Sequence, residues 1–260
     1  MHAHRRAARR LTGALALTLP ALLAACTADP PSPAPTGTAD PVPAEVDAAR
    51  DDLAALAAAA QDRHLTATYT FEPADGATRT VAVTSANDGT WRVDVPGWGQ
   101  GGMVDVSLAA NADGLFQCAL PSAGWARQAG CVRLGDADDA VPRRLDPRVQ
   151  HPFTDWLEVL TDRRAPLAVS PAAPLPGVSG ECYSVESTSA SLNAPLDVGI
   201  YCYRPDGTPA AVRAAFGTLK LAGEPGAAPA TVQLAGPVTE GEPVSREAPS
   251  PSDSPSTGTP

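Results

Sequence analysis

The chain has 260 residues and a mass of 26.5 kDa; 43% of it is apolar but only 5% aromatic, so a core must be built mainly from Val, Leu and Ala. Its composition excludes a collagen, a coiled coil and a protein with many membrane spans. The net charge is −10, and the part after Cys26 is more acidic still, because Arg5, Arg6, Arg9 and Arg10 precede it without any acid; such a surface repels phosphate backbones, so no nucleic acid is expected as a partner.

Residues 1–25 read as a signal peptide. A basic start leads into an apolar run from Leu11 to Ala25, which Thr12, Gly13, Thr18 and Pro20 make too short and too broken to span a bilayer. The run ends in Leu23-Ala24-Ala25-Cys26, which resembles the lipobox of bacterial lipoproteins. That resemblance implies diacylglycerol on the Cys26 thiol, cleavage just before it, and a protein exported and held by lipid on the outer face of the cell membrane. Two or three acyl chains anchor durably where a single one does not. Residues 26–44 then form a Pro-rich tether, and 236–260 a Pro- and Ser-rich tail; neither offers enough apolar surface to offset the entropy of ordering, so both are expected to be disordered.

The folded domain is expected over 45–235. Acids at Glu45, Asp47, Asp51 and Asp52 precede Val46, Ala49, Leu53, Leu56 and Ala60, which share one helical face, and Arg63 and His64 close the far end. From Leu65 the period becomes two, with Leu65, Ala67, Tyr69 and Phe71 alternating with threonines. Further strands are expected at 78–85, 91–95, 103–109, 115–120 and 125–134, separated by Asp-Gly and Gly-rich turns, as in an antiparallel meander. A charged, Pro-containing interval from 135 to 149 interrupts it. Phe153, Trp156, Leu157 and Leu160 then fall on one face of a short helix, and strands return at 180–186, 198–204, 210–216, 218–222 and 231–235.

With Cys26 used by lipid, Cys118, Cys131, Cys182 and Cys202 remain in an oxidising setting, where four cysteines allow three pairings. Cys118 and Cys131 flank the turn residues Pro121-Ser122-Ala123-Gly124, and Cys182 and Cys202 flank the polar stretch 187–197 in the same symmetric way. Cross-strand bridges Cys118–Cys131 and Cys182–Cys202 are expected.

No catalytic chemistry stands out, and no enzyme is expected. Gly97-Trp98-Gly99-Gln100-Gly101-Gly102 fits G-x-G-x-x-G, but Met103 to Leu108 alternates as a strand where a dinucleotide site needs a helix; a flexible loop with an exposed Trp98 is expected instead. Gly177-Val178-Ser179-Gly180-Glu181 lacks the last glycine of a nucleophile elbow, and Lys220 has Gly217 three positions before it, where a penicillin-binding site needs Ser. Asp136, Asp138 and Asp139 lack the rest of a calcium loop and read as a solvated turn, His64 as a helix-end cation and His151 as a loop residue. No cofactor and no metal are expected.

The order of elements, together with Trp91-Arg92-Val93-Asp94-Val95, Ala112-Asp113-Gly114-Leu115-Phe116 and Tyr201-Cys202-Tyr203-Arg204-Pro205-Asp206-Gly207-Thr208-Pro209 behind a lipobox, resembles the LolA/LprG-type lipoproteins. The resemblance implies an α+β fold in which a curved, mostly antiparallel sheet, a half-barrel, wraps an N-terminal helix and a short helical insertion. It further implies an apolar concavity that binds or carries a lipid, a glycolipid or an acylated partner. The residues able to line it are Trp91, Phe116, Phe153, Trp156, Leu157 and Leu160. The alternative is an envelope protein-interaction or sensing module without a lipid ligand.

Overall fold

The computed structural model describes residues 43–189 and 194–248. The expected signal peptide, Cys26, the expected tether as far as residue 42 and the segment 249–260 lie outside these residues.

The first helix, α1 (Pro43–Gln61), begins inside the stretch expected to be tether. A proline at its first turn costs nothing, since the N–H there has no intrahelical partner. Ala49, Leu53, Ala57 and Ala60, spaced four, four and three apart, are its buried stripe. Six strands follow as a meander: β1 (Leu65–Pro73), β2 (Arg79–Ser85), β3 (Trp91–Gly99), β4 (Val104–Asn111), β5 (Gly114–Leu120) and β6 (Gly130–Gly135). After 3-10 turns at Arg143–Leu145 and His151–Phe153 comes the short helix α2 (Asp155–Thr161). A second meander runs through β7 (Leu167–Ala172), β8 (Glu181–Ser187), β9 (Gly199–Tyr203), β10 (Pro209–Ala214) and β11 (Gly217–Leu221), and the two-residue β12 (Gly226–Ala227) pairs with β1.

Among the described residues, the strands form one antiparallel, unclosed curved sheet of twelve, eleven of them in the order β6-β5-β4-β3-β2-β1-β11-β10-β9-β8-β7 and β12 off this path beside β1. The two meanders meet at a single seam, where Tyr69 lies opposite Leu221 and Phe71 opposite Leu219. Directly paired residues share a face, so the registers divide the core cleanly. On the inner face, Tyr183, Val185, Tyr201, Tyr203 and Val212 pack under α1 and α2 with Leu53, Trp156 and Leu160. Further along the same face, Tyr69, Phe71, Val83, Val93, Val95, Val104 and Val106 pack with Val149, Phe153 and Val244.

The opposite face carries the two disulfides, Cys118–Cys131 and Cys182–Cys202, each joining directly paired residues of one hairpin as expected. Leu175 packs beside Cys182–Cys202, while Val232 covers Ala86 and Ala109 nearer the other end.

Several local expectations need correction. The strand expected over 125–134 is only Gly130–Gly135, because Trp125 pairs with Ser122 in a tight loop. Residues 231–235 are not a strand. Both sides of β2, β3 and β4 are already paired, so this apolar run crosses their outer face, with Asn87 N–H donating to Pro229 O (3.0 Å) and Arg92 Nη1 to Gln233 O (3.2 Å). Strand β7 was not anticipated; its Pro171 and short apolar content hide the alternation. Phe153 closes the 3-10 turn ahead of α2 instead of sharing the helix face. The tail is held in place between 236 and 248: Cys131 N–H donates to Pro237 O, Thr239 N–H donates to Cys131 O, and Val244 reaches the inner face. Main-chain pairing with an edge strand orders a segment that has too little apolar surface to order itself.

Candidate functional site

A cleft of about 650 Å³ opens on the inner face between the end of α1, strands β1 to β3 and the insertion that carries α2. Strand alternation supplies its floor: Leu65, Tyr69, Val83 and Trp91 are inward-facing positions of three adjacent strands, and Phe153 and Leu157 close it from the insertion. The Tyr69 and Phe153 rings lie 4.8 Å apart, and the Tyr69 hydroxyl donates to Pro209 O at 2.9 Å. That phenol is therefore satisfied inside the wall, and burial raises its pKa further.

The rim is polar and predominantly acidic. Asp138, Asp139, Asp155 and Glu158 border it together with Arg63 and His64. Arg63 is already engaged by Asp206 at 2.8 Å, so it offers little free positive charge to a ligand.

One charged cluster stands at the edge of this cleft. His151 Nδ1 lies 2.7 Å from Asp155 Oδ1, and His151 Nε2 lies 2.9 Å from Asp146 Oδ2. The imidazole is stacked on Trp156 with ring centroids 5.0 Å apart. Burial alone would lower its pKa, but the hydrogen bonds and charges of the two carboxylates outweigh it and raise the value to about 9. Both ring nitrogens thus donate, and His151 is an imidazolium clamp with no lone pair left to accept a proton. The Asp146 carboxyl is in turn held below its ordinary range, burial being outweighed by the His151 bond, Gln150 Nε2 and the Arg148 N–H. The arrangement ties the 3-10 turn to α2 and fixes Phe153 between them.

The six residues expected to line a ligand site separate. Trp91, Phe153 and Leu157 border the cleft. Trp156 and Leu160 are buried in the core between the helices and the sheet, Trp156 lying edge-on to Tyr201 at 6.1 Å. Phe116 pairs with Ala109, so it faces away from the cleft on the outer side of the sheet. Trp98 is buried in the inner-face cluster and not exposed. Asp136 holds Arg133, whereas its neighbours Asp138 and Asp139 reach the cleft rim.

His151, expected as a loop residue, is instead the centre of a charged cluster, and Asp146 and Gln150 carry no local signal of their part in it. The Asp155 partner stands four positions after His151, a spacing that becomes informative only once the turn is known to run into α2. Among the described residues, no group of three or more His, Cys, Asp or Glu side chains is placed to hold a metal ion, and no helix is long and apolar enough to cross a membrane. Comparison with known proteins gives no matching family model and no curated sequence of significant similarity.

Proposed function

We propose that this chain is a lipid-anchored envelope protein of the LolA/LprG-like kind, which binds a lipid, a glycolipid or an acylated partner in the inner-face cleft. The observation that supports the reading most directly is the cleft itself: about 650 Å³, floored by Leu65, Tyr69, Val83, Trp91 and Phe153 and open at a polar rim. Its size and its apolar floor suit a small amphiphile. In this reading the curved sheet acts as a half-barrel around α1 and α2, and acyl carbons leave water at a gain of roughly 25 cal/mol per Å². The carboxylates of the rim favour an uncharged head over an anionic one. Binding and release need no catalytic group.

Titration of the purified protein with a fluorescent, uncharged acyl probe tests this. Phe153→Ala and Trp91→Ala are expected to weaken binding about tenfold or more, the scale of the apolar area that each contributes. Lys220→Ala, on the outer face, is expected to leave it unchanged. Absence of probe binding by the folded wild-type protein rejects the reading.

A second reading, an interaction or sensing module without a lipid, is favoured by one observation. The inner face from β7 to β10 is already filled by α1 and α2, with Tyr201 and Tyr203 fully buried beneath them. Among the described residues, the cleft therefore opens beside β1, β2 and β3, in the middle of the sheet.

A further inference from the structure

The Gly97–Gly102 run, which fits a nucleotide motif in spelling only, has a different task in the fold. It ends β3 with a bulge and a 3-10 turn, Gly97 and Gly101 standing at φ of +58° and +70°. Asp105 Oδ1 accepts from Gly97 N–H at 2.6 Å and fixes the bulge. The outer surface of this turn is occupied by the chain's own residues Val244 to Ala248.

The contacts there are those of a peptide in a binding site. Gln117, only 2% exposed, donates from Nε2 to Val244 O at 3.0 Å and accepts from Val244 N–H at its Oε1 at 2.7 Å. Gln100 N–H and Gly101 N–H donate to Ser245 O and Arg246 O, each at 2.8 Å. The Val244 side chain lies so close to Gly99 that a Cβ there would overlap its Cγ1, and a Cβ on Gly101 would come within 3.1 Å of Ala248 Cβ. The glycines are thus the floor of a groove shaped to the segment. Recognition runs through four hydrogen bonds to the segment's main chain, two from the Gln117 side chain and two from the Gln100 and Gly101 N–H groups, and through one β-branched side chain, much as an extended peptide is captured.

The hold is also local. Val244 is the one residue of 240–248 that joins an apolar cluster, residues 246–248 are exposed, and the ion pair of Arg246 with Asp75 is long, at 3.9 Å, and solvated. Few buried contacts mark the segment as one that opens far below the cost of global unfolding. A vacated groove would admit water to Gln117 and expose the apolar wall on which Val244 packs, so it favours a Val-like occupant over none.

We propose that the Gly99 groove and Gln117 form a binding site for an extended peptide, recognised through its main chain and one Val-like side chain, with Val244–Ala248 as its resident and exchangeable ligand. This goes beyond lipid binding and stands whether or not the cleft takes an amphiphile.

Full-length Val244→Asp, which sets a carboxylate against the apolar wall, is expected to release the segment. Amide exchange at Gln100 and Gly101 should then rise at least tenfold, while the amides of β4 and β5 stay protected. A capped synthetic peptide of residues 240–248 should bind this variant saturably and restore the protection. Its binding to the wild type should be at least a hundredfold weaker, because the tethered resident competes at high effective concentration. The same peptide carrying Val244→Asp should not bind. If Val244→Asp does not fold, Val244→Gly, which removes the side chain that fills the groove and leaves Gln117 intact, takes its place in the same measurements. Unchanged exchange at Gln100 and Gly101 in the folded variant, or failure of the wild-type peptide to bind it, overturns the proposal.

Discussion

His151 illustrates how a single side chain sets a pH dependence here. Its pKa is raised to about 9 from an ordinary 6.5, because Asp146 and Asp155 together outweigh burial. A group whose folded pKa lies above its unfolded value contributes all of its stability below the unfolded pKa and loses it as pH rises through the folded one. Resistance to urea is therefore expected to fall between about pH 6.5 and pH 9, by at most about 3 kcal/mol for this group. His151→Gln should be less stable at pH 6 and should flatten that slope; an equal slope in both proteins would show that the clamp is not its source. None of this was legible in the sequence, where a histidine beside Pro152 has the spelling of a loop. The partners become visible only when the chain turns back at Arg148, whose backbone adopts φ +68°. Phe116 and Trp98 were misread for the same reason in reverse. Side-chain type announces burial, but the face on which it is buried depends on strand register and on a bulge such as the one between Val95 and Gly99.

Among the elements, the hairpins were the most legible, since period-two alternation and Gly-containing turns are local signals. Symmetric placement of cysteines about those turns was enough to pair them. Each disulfide closes a loop of 13 or 20 residues, and each is expected to contribute about 3 kcal/mol, mainly by restricting the unfolded chain. Replacing Cys182 and Cys202 by Ser should lower the urea midpoint accordingly and raise the urea m-value somewhat, because the unfolded chain loses a constraint and exposes more surface; chemical denaturation of the double variant measures both. Strand β7 and the strap 228–235 were illegible because their placement depends on which hydrogen-bonding edges remain free, a property of the finished sheet. Pro171 conceals the first, and the apolar run Val232 to Leu234 imitates a strand in the second.

Across the sheet, the seam between β1 and β11 joins two meanders and gives one continuous inner face, on which the helices cover β7 to β10 and the cleft opens beside β1, β2 and β3. The sequence foretold a sheet-dominated α+β domain but not this seam, since the paired residues lie about 150 positions apart and carry no local mark of each other. If Cys26 carries the lipid, Cys26→Ser should abolish lipid labelling and move the protein from the membrane to the soluble fraction, with its melting behaviour unchanged; unchanged partitioning would reject the anchor. The two ends of the sheet have a further consequence. An open sheet normally presents a row of unpaired main-chain groups at each border, which invites neighbouring copies to stack into fibres. Here Pro237 to Thr239 run alongside β6, and β7 at the other border carries Pro171, which has no N–H to offer a newcomer. Lateral growth is discouraged at both borders, so concentrated copies of the folded protein are expected to remain separate molecules, which light scattering checks.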